Sequence, residues 1–227
     1  MATADVQWPL FYQGLQQLTP QRPQPASTFD IASILQQSRE LVSLFITVAE
    51  HNFSALFAQL NLTPRHLSLE HARVTKMMAL GLIFSRGFGW QSQRSTQFLH
   101  AICLQAAFLS PNSSTKQAKL TSAKALQQFD KQHPLLPLLI ADCTAKHQAA
   151  WQCHPDGPLL TLIGQLAIQM LPKTGGQSAI EQLLLQHRTS NADIINTKWF
   201  CFLQQLTEGQ ALPGRFAKET KPLSEAA

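Results

Sequence analysis

From residue 31 onward the apolar positions fall at helical steps. Ile31, Ile34, Leu35, Leu41, Val42, Phe45, Val48 and Ala49 recur three and four residues apart, the spacing of one face of an α-helix. Ser27, Thr28 or Asp30 can cap its start, and the helix is predicted to reach the region of Leu56. Thr63 and Pro64 break the pattern, and Ser68 opens a second helix carrying Val74, Met77, Met78 and Leu82. Gly87, Phe88 and Gly89 end it. An apolar segment follows over 98–109 and stops at 110–113, SPNS. Further helices are predicted over 119–129, 135–150, 159–171, 177–186 and 191–206. Strands would show as alternation of apolar and polar residues, and no useful length of it exists, so the predicted fold class is all-α.

Ahead of this domain lies a short apolar leader, Trp8, Pro9, Leu10 and Phe11 followed by Leu15 and Leu18. The stretch 19–25, TPQRPQP, cannot propagate a helix and separates the two. So few residues make no core of their own, so the leader is expected to dock on the domain surface or on a partner. The expected organisation is a leader and Pro-rich linker over 1–28, one helical domain over 29–207 and a loose polar tail over 208–227.

Composition narrows the setting. The chain has 227 residues, 44% of them apolar, which suits one globular domain. No apolar run is long enough to span a bilayer and the first ten residues lack the layout of a secretory signal, so a cytoplasmic protein is expected. Cys103, Cys143, Cys153 and Cys201 form no C-x-x-C pair and read as buried thiols in a reducing compartment.

The net charge of +5 is concentrated. Between Glu70 and Asp130 there is no acidic residue, yet Arg73, Lys76, Arg86, Arg94, Lys116, Lys119 and Lys124 all fall there. A positive face can attract a nucleotide or an acidic protein surface, with Arg73, Lys76, Arg94 and Lys119 as the candidate anion-binding residues. The plainer reading is a solvated basic face. Nucleic acid is not favoured, because no aromatic-interleaved motif accompanies the charge.

Several short motifs occur in a fixed order: His71-Ala72-Arg73-Val74, then AICLQAA over 101–107, then Lys119-Leu120-Thr121, then His133-Pro134-Leu135-Leu136, then WQCHPDGP over 151–158, then the apolar stretch 163–170. This series resembles the HD-GYP branch of the HD superfamily, whose active members are metal-dependent phosphodiesterases acting on cyclic dinucleotides. The related non-enzymatic HDOD group shares the plan. The resemblance implies a single HD-like helical bundle and places His71 at the first metal histidine, although the arginine sits one position early. It sets Gln105 and Ala106 where the family has its His-Asp pair, His133 at the H-P element, Trp151 and Gln152 where paired histidines stand, and Ile168 at the last metal aspartate. The GYP triplet itself is absent.

Two cations about 3.5 to 4 Å apart need an anionic bridging ligand. Ala106 supplies none, and only His71 and His133 of the seven positions carry histidine. The resemblance therefore implies a pseudoenzyme without metal or other cofactor, its two histidines capping helices or bonding carbonyls. Gln105 is expected to bond His71 or His133 across the pocket.

Rival sites are weaker. Cys143 and His147 share a helix face, with Cys153 and His154 close behind, but their spacing fits no standard zinc pattern. The glycines at 87, 89, 175 and 176 lack the flanking residues of a phosphate loop.

Three functional expectations follow. The first is an inactive HD-type domain that regulates or scaffolds bacterial signalling by recruiting a protein partner. The second is a sensor that binds a cyclic dinucleotide near His71, Gln105, His133 and Gln152 without turning it over. The third is a phosphohydrolase with an unusual ligand set drawn from Glu70, Asp142, Asp156, Cys153 or His154.

Overall fold

The Ser68 hydroxyl starts the helix around which the others gather. Its backbone is extended, at φ −65° and ψ 159°, and its side chain accepts a hydrogen bond from the His71 N–H, as an N-cap does. The computed structural model describes residues 4–18, 30–51, 56, 59–60, 67–108, 115–140 and 156–169. These hold seven helices and no strand: α1 Ala4–Leu18, α2 Ile31–His51, α3 Leu69–Gly87, α4 Ser92–Ala106, α5 Thr115–Phe129, α6 Leu136–Ile140 and α7 Gly157–Gln169. The fold class is an all-α bundle. Among the described residues no helix is long and apolar enough to cross a membrane.

Every residue of α3 from Ala72 to Ser85 is buried, so this helix has no solvent face and is the centre of the bundle. It lies against α1, α4 and α7, while α2 lies on α1 and α4. Gly81 permits the closest approach: a Cβ there would meet Ile102 Cδ1 at 2.8 Å and Leu99 Cδ2 at 3.1 Å. The helix ends in a Schellman motif, with Gly89 at φ +62°, Trp90 N–H donating to Ser85 O and Gly89 N–H to Arg86 O. Only glycine takes that φ without strain.

The apolar leader is helical. Phe11, Leu15 and Leu18 of α1 are spaced four and three apart and belong to the same apolar core that extends to Ala167 of α7. Trp8 and Phe11 meet Phe45 of α2 with ring centres 5.9 and 5.2 Å apart, and Tyr12 Oη donates to Gln59 Oε1 at 2.5 Å. Pro9 lies inside α1, where it removes one hydrogen bond near the helix start. Asp30 provides the cap of α2, its Oδ1 accepting from Ser33 N–H. The linker 19–25, residues 141–155, the helices expected over 177–186 and 191–206 and the tail 208–227 lie outside the described residues.

Candidate functional site

The first turn of α3 is where the chain enters the core. Ser68 and Leu69 are exposed, Glu70 and His71 half-buried, and Ala72 onward buried. His71 Nδ1 lies 3.0 Å from Ser68 Oγ, and Thr75 Oγ1 donates to His71 O. His71 Nε2 is buried without a hydrogen-bond partner. Burial holds this imidazole below the ordinary histidine value, with the Glu70 charge opposing. His71 thus serves the helix cap through one nitrogen and presents the other to the interior.

Two cations on α3 are inside the protein rather than on a basic face. Lys76 is buried, and its ammonium donates to Gln59 O at 3.1 Å and Leu60 O at 2.6 Å. Those carbonyls accept hydrogen bonds from the ammonium, which is why a lysine is tolerated there, and burial pushes its pKa down to about 8. Arg73 is also buried, at 9% exposure, but its Nε and Nη2 have no hydrogen-bond partner. Glu70 is the carboxylate whose field reaches it, and burial still lowers its pKa. Lys119 is buried on α5. Arg94 is half exposed and grips Asp156 with Nε to Oδ2 at 2.9 Å and Nη2 to Oδ1 at 2.5 Å. The sequence expectation of four basic residues on one surface is therefore corrected: long apolar stems let Arg73, Lys76 and Lys119 run inside the bundle.

Gln105 does not reach either histidine, contrary to expectation. Its Nε2 donates instead to Ala101 O, one turn back on α4, at 3.1 Å. Ala106 is wholly buried in the apolar core. His133 follows α5 in the α5–α6 turn, where its Nδ1 accepts from Leu135 N–H and its carbonyl from Leu136 N–H. Ile168, on α7, is 36% exposed. Trp151, Gln152, Cys143, His147, Cys153 and His154 lie outside the described residues.

A histidine that sequence reasoning passed over is more deeply placed. His100 of α4 is buried, with Nε2 2.7 Å from Ser38 Oγ of α2. Burial pushes its pKa down to about 4, helped by repulsion from Arg39 and His133 and opposed by a backbone bond at Leu35. His133 is lowered by burial, with Asp130 opposing and Arg39 adding. The structure thus couples His133 to His100 and Arg39, whereas the charge acting on His71 is that of Glu70. The signal in the sequence is one polar residue in the run Phe98, Leu99, His100, Ala101, Ile102, Cys103.

Ser38 and His100 resemble a nucleophile and its base only in distance. The Ser38 hydroxyl also has Leu35 O as an acceptor, 3.0 Å away, and that carbonyl competes with His100 Nε2 for its one proton. Both residues are buried. They pin α2 to α4.

A two-metal centre does not fit the residues described. Ala106 offers no donor, the Gln105 amide is engaged with its own helix, and the Asp156 carboxylate is held by Arg94. Among the described residues no three His, Cys, Asp or Glu side chains are grouped to hold a metal ion. No protein-family model, curated protein or solved structure matches the chain.

Proposed function

We propose that the chain is a non-catalytic helical module that regulates by binding a protein partner, on the plan of an HD domain whose ligand positions now serve the scaffold. One observation carries this reading: the position of the expected His-Asp pair is filled by a glutamine bonded to Ala101 O and an alanine buried among apolar side chains. Neither can bridge two cations. Cyclic dinucleotide sensing is less well supported, since it calls for several arginines or lysines on the phosphates. Lys76 is engaged by two carbonyls, Arg94 holds Asp156, and Lys119 is buried.

The test is an assay of the full chain on cyclic dinucleotides and on a generic phosphodiester with added manganese, iron(II) or zinc. No turnover above buffer is expected. Metal-dependent hydrolysis that disappears in His71→Ala contradicts the reading. Cross-linking in the native host with reciprocal capture then identifies the partner.

A further inference from the structure

The two guanidinium groups Arg94 and Arg73 present the same donor edge in opposite circumstances. On Arg94, Nε and Nη2 point side by side and each meets one oxygen of the Asp156 carboxylate. On Arg73 the same two atoms, Nε and Nη2, are the ones buried without an acceptor. This pair of parallel N–H donors matches the spacing of two oxygens on one carboxylate or phosphoryl group. A buried guanidinium without such an acceptor is costly.

We infer that the Nε/Nη2 edge of Arg73 is a binding site for a small oxyanion, a ligand bearing a carboxylate or a phosphoryl group. Arg73 stands at the fifth position of α3, just past the exposed first turn. Helical side chains lean toward the N-terminus, so its head group is carried back toward the first turn of α3, where Nε and Nη2 are closed off from water and an oxyanion reaches them as the atoms covering them move aside. The positive end of the helix dipole adds attraction there. Glu70 opposes it: its charge acts on Arg73 but makes no ion pair with it, the ion pairs among the described residues being Arg86–Glu50 and Arg94–Asp156. The site is independent of the partner-binding reading and stands whether or not that reading holds.

Thermal unfolding of the full chain tests it, with sodium phosphate in one arm and sodium malonate in the other, ionic strength held constant with sodium chloride. At least one anion is expected to raise Tm saturably, by about 5 °C at roughly thirtyfold excess over its Kd. A response to phosphate alone assigns a phosphoryl ligand, and a response to malonate alone a carboxylate. Arg73→Lys, which keeps the charge but loses the edge, is expected to weaken binding at least tenfold, and Glu70→Gln to tighten it about threefold. Without added anion, Arg73→Met is expected to melt no lower than the parent, because it removes a buried charge with no protein acceptor. The inference is overturned if neither anion shifts Tm, if Arg73→Met responds as the parent does, or if Arg73→Met is destabilised or unfolded in anion-free buffer.

Discussion

Arg94 lies over the Trp90 ring, 4.1 Å from its centre, and from there holds both oxygens of the buried Asp156. This joins the start of α4 to the residue just before α7. Arg94→Met is expected to cost about 2 kcal/mol, less than the ~3–5 kcal/mol of a fully buried pair because Arg94 is half exposed. The double variant with Asp156→Asn is expected to recover part of that loss, since the buried carboxylate charge is then removed together with the guanidinium that faces it. Urea unfolding of the four proteins in the cycle checks this; additive losses would contradict it.

Acid is expected to destabilise the fold through His100. Its pKa is about 4 in the folded chain against 6.5 ordinarily, so the unfolded chain binds the proton first. The stability it contributes is complete above pH 6.5 and is lost as pH falls toward 4, about 2 kcal/mol by pH 4.5. His71 and His133 shift in the same direction, so His100→Gln flattens the fall in urea midpoint between pH 7 and 4.5 without abolishing it. An unchanged slope would show that His100 is not the group involved.

The helix start at Ser68, the stop at Gly89 and the stripe on α2 were legible because each depends on local chemistry: a hydroxyl cap, a positive φ, a three-four spacing. The burial of α3 on all sides was not. Arg73, Thr75 and Lys76 interrupt its apolar residues, and a sequence containing charges normally reads as a solvent face. Only tertiary structure reveals that the carbonyls of Gln59 and Leu60 receive Lys76. At the candidate site, the absence of any donor at Ala106 was plain in the sequence. The direction of the Gln105 amide was not, because a long side chain can satisfy itself on its own helix or across a pocket.

Gly81→Ala is expected to lose about 1 kcal/mol. Overpacking against Ile102 and Leu99 costs ~1–3 kcal/mol and is offset by the better helix propensity of alanine, about 1 kcal/mol. Ile102→Val removes the methyl that lies 2.8 Å from the new Cβ, so it is expected to restore stability in the Gly81→Ala background and to lower it in the parent. Calorimetric melting of the cycle decides; a loss from Ile102→Val in both backgrounds would contradict the contact.

Cys103 is wholly buried and its thiol is pushed up to about 12. Thiolate is the reactive form, so iodoacetamide is expected to leave Cys103 unlabelled in the native chain and to modify it in urea. Peptide mapping gives the answer, and rapid native labelling at Cys103 would contradict its place in the core.

Calorimetric titration of the metal-free full chain with manganese or zinc tests the central claim most directly. If His71 and His133 serve the scaffold, as proposed, no saturable binding with a Kd tighter than about 0.1 mM is expected to depend on either of them. Two equivalents bound more tightly, and lost in His71→Ala, would contradict the account.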